Sequence, residues 1–454
     1  MNSAASGHTE RWQLRSTFVL ALLASALGIG NLWRLAYLMG DSGGGAFLVI
    51  YALCLFLLAV PVMVAEVVLG RYGGPASVKA ISLASESAGV SQGWRLIGAL
   101  ACLTGVLILG FYIVVAGWSL AYAGFMYDGN FSAAPLAEVA THFEDYLAQS
   151  PPQIYWQSLF LLATAAPVVL GVQRGLGVLV WIMVPLMFVL LAFLLKFGLD
   201  YGDIDAARDY LFATTWADFT PRLALLALGH AFFTLGVGVG IGIAYGAYAP
   251  QGIPLGRSVM TVAVFDMGFA IAAGLALYAA VFASNMTPTE GPGLLFISLS
   301  YAFGNLEQGD LAGTVFFALM AVAALGSAIA ILESIVATVK RQFRVHRFTA
   351  TVLVGALVWL LSLAVVESLK PAAGVNWFGR PNLMSLLDSV TTTLLLPLVS
   401  LLIALFVGWG LRSDLFRLEL ARQSSVFFSL WRFLLRYIAA PGIALLLLAP
   451  FYGA

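Results

Sequence analysis

The chain has 454 residues, 22 basic and 22 acidic, with 61% hydrophobic and 10% charged residues. Soluble domains carry about 25% charged residues, so this composition, with a mean hydropathy of +0.96, excludes a soluble enzyme and indicates a helical membrane protein. Zero net charge says nothing about nucleic acid, and no basic run is large enough for a nucleic-acid-binding arm.

In chain order, residues 1–13 read as a short polar tail without a cleavable signal. Eleven apolar runs of membrane-crossing length follow, at about 14–38, 45–70, 94–126, 155–171, 176–197, 223–248, 258–284, 310–339, 348–368, 385–411 and 427–450. Of the 22 Lys and Arg, all but six lie on the side of the N-terminus. Lys196, Arg208, Arg222, Lys370 and Arg380 lie on the other side, and Arg34 lies within a span. This asymmetry predicts a cytoplasmic N-terminus in the cell inner (plasma) membrane. The acidic connections 128–145 and 200–218 read as solvated loop surface. Cys54 and Cys102 fall inside spans and read as packing residues, too few for a disulfide framework or a metal site.

Two spans depart from a plain apolar helix. In the first, Ala24-Ser25-Ala26-Leu27-Gly28-Ile29-Gly30-Asn31-Leu32-Trp33-Arg34 places two glycines, an asparagine and an arginine at hydrocarbon depth. By itself this reads either as a broken helix at a binding site or as a close-packed glycine pair with a snorkelling arginine. In the sixth, glycines alternate at 236, 238, 240 and 242. Spacing two does not stay on one helix face, so an unwound segment is predicted. Five spans separate the two breaks, so their helices cross in opposite senses, the mark of an inverted-repeat transporter. The division is then a tail 1–13, a five-span repeat 14–200, an outer loop 201–222, an inverted five-span repeat 223–411, and an inner loop with span 11 at 412–454. In span 5, Gly175 and Pro185 read either as a site of partial unwinding or as a static kink.

Several stretches closely resemble the neurotransmitter:sodium symporter family. They are the run from Trp12 to Arg34, Gly43-Gly44-Gly45-Ala46-Phe47, Glu66-Val67-Val68-Leu69-Gly70-Arg71-Tyr72-Gly73, Tyr112 before Trp118, Phe232-Phe233-Thr234-Leu235, Gly291-Pro292-Gly293-Leu294 and Ala328-Ile329-Ala330-Ile331-Leu332-Glu333. The resemblance spans the whole chain, with eleven spans where the family usually has twelve. It implies an all-α LeuT fold: two inverted five-helix repeats with helices 1 and 6 broken, plus one extra C-terminal helix. It also implies one or two bound Na+ ions. The first sodium site would use the Ala26 carbonyl, the Asn31 and Thr234 side chains, Asp266 where the family often has asparagine, and the substrate carboxylate. The second would use carbonyls of Ala24, Leu27 and Ala323 and the Ser327 hydroxyl. The substrate carboxylate would meet the Ile29 and Gly30 amides and Tyr112. Ile108, Tyr112, Phe233, Val239 and Ile331 would line the side-chain pocket, with Phe233 as lid, and Ala26, Gly28, Thr234, Gly236 and Ser327 would complete it. Arg34 and Asp388 would form the outer gate.

Each residue also has a plainer reading. Asn31 could bond a neighbouring helix, Tyr112 and Phe233 could be packing aromatics, and Ser327 could bond back to its own helix. Intramembrane Arg34, Asp266, Glu333 and Asp388 are functional by default. Glu66 either shares that standing or anchors the end of span 2. His230 reads as a structural hydrogen-bonding histidine, with proton handling as the alternative.

The chain departs from the family's pattern in places. The usual inner-gate pair is Thr9 and Arg341 here, so that gate must close differently, Arg11 or Arg15 with another acid being one way. A threonine of the second sodium site is Gly326, which should weaken the site or leave a water there. Asp266 adds a negative charge beside the first sodium, while Ala270 occupies the other position where an acid is common, so chloride independence is expected. Gly28 stands where monoamine-transporting relatives carry aspartate, which favours an amino acid. Gly236 and Val239 enlarge the pocket by a few methylenes, a preference of about 1–3 kcal/mol.

The function expected is a sodium-coupled symporter for neutral, hydrophobic or aromatic amino acids that works by alternating access. The alternatives are a proton-driven or weakly sodium-coupled transporter and a non-transporting amino-acid sensor. No nucleophile with a paired base, phosphate loop or metal cluster suggests an enzyme. The expected partners are the amino acid and the lipid bilayer, with no nucleic acid, the protein being a monomer or weak homodimer.

Overall fold

A computed structural model of the chain describes residues 10–32, 34–41, 44–214, 219–286, 294–370, 380–412 and 424–448, with 416, 417, 419 and 420. Thr9, Trp33, Gly43 and Gly291 to Gly293 lie outside the described residues.

Among the described residues nine helices are long and apolar enough to cross a membrane: Gly45–Gly73, Gln92–Tyr127, Ser150–Leu170, Val172–Tyr201, Leu255–Ala283, Gly309–Phe343, Arg347–Ser368, Leu383–Gly410 and Ser425–Leu448. They are spans 2–5 and 7–11. Spans 1 and 6 are each broken. Span 1 runs as Arg15–Ala26, Ile29–Leu32 and Arg34–Asp41, and span 6 as Pro221–Leu235 and Ile241–Tyr248. Together they account for all eleven apolar runs.

The acidic connections contain short helices, Leu136–Ala148 and Ile204–Phe212. Their charges line the exposed side, while Val139, Phe143 and Tyr146, and Ala207 and Leu211, are buried. The charge run thus marked one face of an amphipathic helix rather than a loop. In span 5 the irregularity sits at its start. Gly171 has φ +95° and leads into a π-helical turn at Val172–Leu176, whereas Pro185 lies inside the continuous helix Gly177–Tyr201.

Span 8 forms the axis. Of its most apolar stretch 78% is buried inside the protein, against 28% for span 11, which therefore faces lipid. Span 3 packs along span 8, and the second half of span 6 packs along span 2. That second contact rests on a reciprocal glycine fit. A Cβ on Gly70 would strike the Ile243 carbonyl, and one on Gly246 would strike the Val67 carbonyl. Small residues at such crossings let backbones approach where lipid supplies no hydrophobic drive. Cys54 is buried, Cys102 half-buried, and both are free thiols.

Candidate functional site

The break in span 1 can be followed bond by bond. The Gly28 amide would donate to the Ala24 carbonyl in a continuous helix, but it turns to Ala26 instead, at 2.8 Å. The Ile29 amide leaves the ladder and donates to the Tyr112 hydroxyl at 3.3 Å. The Ser25 carbonyl, its helical partner, accepts from the Ser327 hydroxyl at 3.0 Å. Spans 3 and 8 thus take up groups that span 1 releases, as buried backbone groups require. The Ala24 carbonyl lies against Gly326, where an added Cβ would collide with it. Span 8 therefore closes directly on span 1 at the position of the lost threonine.

In span 6, Gly236, Gly238 and Gly240 have φ of +64°, +89° and +78°. These left-handed angles explain the spacing of two, because only glycine enters that region without strain. The fourth glycine, Gly242, is helical and serves another purpose. Glu66 in span 2 is fully buried, and its carboxylate accepts from the Gly238 amide at 2.7 Å and the Gly242 amide at 3.2 Å. It caps the second half of span 6 from another helix, satisfying donors that a helix start leaves open. A Cβ on Gly242 would come within 2.5 Å of the Glu66 Cβ. Glu66 therefore does not anchor the end of span 2. Ser334 donates to the freed Val239 carbonyl at 3.0 Å.

Between the two breaks lies a buried oxygen cluster. Asn31 donates to Asp266 Oδ1 at 2.6 Å, and Tyr51 donates to Oδ2 at 3.2 Å. The Thr234 hydroxyl is 2.9 Å from Asn31 Oδ1 and 3.0 and 3.1 Å from the two Asp266 oxygens. Its single proton serves one of these at a time. The partners of Asp266 are thus neutral donors, and its carboxylate is fully buried. An isolated buried carboxylate is costly until a cation offsets it, and a set of carboxylate, amide and hydroxyl oxygens suits a hard cation.

Beside the cluster lies a small cavity lined by Ser25, Ala26, Gly28, Gly30, Asn31, Tyr112, Thr234 and Ser327. Ile108, Phe233, Gly236, Val239, Ile241, Ile331 and Leu396 complete the lining. Polar and apolar groups thus share one space. The Phe233 ring lies over Gly30, where a Cβ would be 2.9 Å from Cε1. The Arg34 guanidinium sits 5.4 Å above that ring, with its Nη1 3.6 Å from Asp388 Oδ1. Above them opens a vestibule of about 2070 Å³ that reaches Ile29, Gly30, Tyr112 and Phe233.

The structure thus gathers most of the expected substrate residues around one cavity. Ile29 stands on its vestibule side, and Asp266 stands behind Asn31 and Thr234. Ala24, Leu27 and Ala323 lie off the cavity, all buried. The sequence reading missed Ser25, Ile241 and Leu396 in the wall, Tyr51 on Asp266, and Ser334. Ser25 and Ile241 carried a signal, each being in an interrupted stretch. His230 is not the hydrogen-bonding histidine expected. Among the described residues neither ring nitrogen has a hydrogen-bond partner. The ring is wedged against Tyr51 and Phe47, at centroid distances of 5.0 and 6.4 Å.

On the N-terminal face the cavity is sealed. The Trp12 amide donates to the Tyr248 carbonyl at 2.9 Å, and its indole donates to the Val172 carbonyl at 3.0 Å. Tyr248 donates to Glu333 at 2.5 Å, and Arg347 pairs with the other Glu333 oxygen. Arg347 also donates to the Val168 carbonyl at 2.5 Å. The N-terminal tail and spans 4, 5, 6, 8 and 9 meet in this one knot. Arg11 and Arg15 have no ion-pair partner among the described residues, and Arg15 donates to Ser258 at 3.1 Å. Closure here passes through Glu333 and Arg347.

The profile of the sodium:neurotransmitter symporter family matches residues 9–134 and 142–452. The chain belongs to this family. An uncharacterized sodium-dependent transporter of Bacillus subtilis (strain 168), YhdH, is 31% identical over 442 residues, covering 96% of this chain and 97% of its own. The sodium-dependent dopamine transporter of Bos taurus is 25% identical, covering 98% of this chain and 70% of its own. The crystal structure of MhsT in complex with L-phenylalanine superposes with a TM-score of 0.88 at 34% identity, covering 97% of this chain and 99% of that one. Members of the sodium:neurotransmitter symporter family are transporters, not enzymes, and the fold is that of LeuT. This member is accordingly a multi-pass, sodium-dependent membrane transporter.

Proposed function

We propose that the transporter moves a neutral amino acid with a hydrophobic or aromatic side chain, together with Na+, and needs no chloride. The observation that carries this reading is the cavity at the junction of two broken helices, where the polar groups of Asn31, Tyr112, Thr234 and Ser327 meet the apolar side chains of Ile108, Phe233 and Ile331. The Ile29 amide, the Tyr112 hydroxyl to which it donates, and the adjacent Gly30 amide suit a carboxylate. Ile108, Phe233 and Ile331 suit an apolar side chain. Gly28 leaves no room for an amine-binding aspartate, since a Cβ there would be 2.6 Å from Ser327 Oγ. The likeness to MhsT, crystallised with L-phenylalanine, supports an aromatic or large apolar substrate.

Na+ would sit among the oxygens of Asn31, Thr234 and Asp266 and the substrate carboxylate. The Asp266 charge stands in for a chloride ion, and its carboxyl group takes up or releases a proton on the return step. A second ion would sit where Ala24, Leu27, Ala323 and Ser327 converge. The N-terminal face is cytoplasmic, so the vestibule faces outward and Arg34, Phe233 and Asp388 close over the substrate. Release inward follows when the Trp12–Tyr248–Glu333–Arg347 knot opens. Two states of one bundle then alternate access to a fixed site.

Uptake and counterflow of radiolabelled phenylalanine, leucine and tryptophan in proteoliposomes test this. Sodium-dependent uptake, lost when potassium or choline replaces sodium, is expected. Uptake that persists without sodium overturns coupling in favour of proton drive. Ligand binding without counterflow overturns transport in favour of a sensor.

A further inference from the structure

We propose that a groove at the N-terminal-face end of spans 10 and 11 holds the phosphate headgroup of an anionic phospholipid. The groove is open to its surroundings and is lined by Arg417, Arg432 and Arg436 with Ser429, Phe433 and Tyr437. On span 11, residues 429, 432, 433, 436 and 437 repeat at three and four, so arginines and aromatics share one helical stripe. Leu430, Phe433 and Tyr437 are 54%, 51% and 57% exposed, so apolar surface continues beside the arginines.

Two of the arginines have a structural task. Arg432 donates to the Leu411 carbonyl at 3.3 Å, and Arg436 donates to the Gly408 carbonyl. They cap carbonyls left open where span 10 ends in a π-helical turn at Phe406–Gly410. One neutral donor at each carbonyl would suffice, whereas a guanidinium brings a full charge and several further N–H donors. Arg436 lies 5.9 Å above Trp409 and Arg417 lies 5.8 Å above Phe428, so stacking holds both in place. Among the described residues no carboxylate pairs with Arg417 or Arg436. Between 412 and 437 the chain has Arg412, Arg417, Arg422, Arg432 and Arg436 against Asp414 and Glu419. Glu419 is engaged with Arg71 at 3.4 Å. A positive groove at the end of span 10, beside an apolar helix face, fits a phosphodiester with acyl chains attached. A free phosphate shares the headgroup chemistry but leaves the apolar flank unused.

The test uses the full-length protein, delipidated in a neutral detergent. Native mass spectrometry and thermal unfolding are followed with phosphatidylglycerol, with phosphatidylcholine, and with inorganic phosphate. Phosphatidylglycerol should be retained over phosphatidylcholine and should raise the melting temperature, while inorganic phosphate should not. Arg417→Gln and Arg436→Gln should each weaken retention about fivefold, as expected for removal of one basic residue at a membrane surface. Glutamine at 436 keeps a donor for the Gly408 carbonyl, and Arg417→Gln removes no cap, so both variants should fold and keep the sodium-dependent ligand shift. Equal retention of the two lipids, or unchanged retention in both variants, overturns the proposal. A shift from inorganic phosphate equal to that from phosphatidylglycerol assigns the groove to a free anion and overturns the lipid.

Discussion

Glu66 is the residue on which the shape of the site most depends. Its two oxygens hold one amide from the middle of the unwound turn in span 6 and one from the first turn of the helix that follows. Hydrogen bonds to a charged group contribute about 1.5–3 kcal/mol, so Glu66→Gln should lower unfolding stability by about that amount. Thermal unfolding checks this, and the sodium-dependent ligand shift should shrink with it. Asp266 affects chemistry more than architecture. Asp266→Asn keeps the size and one acceptor but removes the charge, so uptake should fall in chloride-free buffer and recover when chloride is added. Full uptake by that variant without chloride would remove the carboxylate from the ion balance. Asn31 and Thr234 were legible because they sit in or beside the interrupted runs. Glu66 was visible as an intramembrane acid, yet its task was not, because its partners are 172 and 176 residues away.

At the scale of the element, the breaks follow from short-range chemistry. Three alternating glycines in span 6 sit at positive φ, and no other arrangement of that stretch would require them. Span 1 carries less obvious punctuation. Its break is held by spans 3 and 8, through Tyr112 and Ser327. The contact at Gly326 makes a prediction opposite to one drawn from composition. Threonine there would return an oxygen to the second sodium site, but its Cβ would collide with the Ala24 carbonyl. Gly326→Thr should therefore push span 8 off span 1, and overpacking of this kind costs about 1–3 kcal/mol. Melting temperatures with and without sodium check it: both should fall, and the sodium-induced rise should not grow.

Across the whole molecule, one face is open to the vestibule while the other is tied by Glu333. The Arg347 side chain is only 18% exposed, and Glu333 is wholly buried. Removing one partner of a buried pair leaves the other uncompensated and costs about 3–5 kcal/mol. Glu333→Gln should loosen this knot and populate a form open to the N-terminal face. A cysteine at Ala247, 2% exposed on the second half of span 6, should then react faster with a maleimide, and sodium with substrate should slow it again. Unchanged labelling would show that Trp12 and Tyr248 alone keep that face shut.

Sequence alone determined the eleven crossings, the two interrupted helices and the clustering of polar residues within them. All of these arise from hydrophobic run length and glycine chemistry, which act over one or two helical turns. Tertiary structure decided what each interruption leans on: the carboxylate across from span 6, the span 8 backbone pressed against Ala24, the Arg347–Glu333 closure and the isolation of His230 among aromatic rings. Those depend on which faces of distant helices meet, and in lipid that choice rests on shape and on satisfying buried polar groups. A local pattern carries neither.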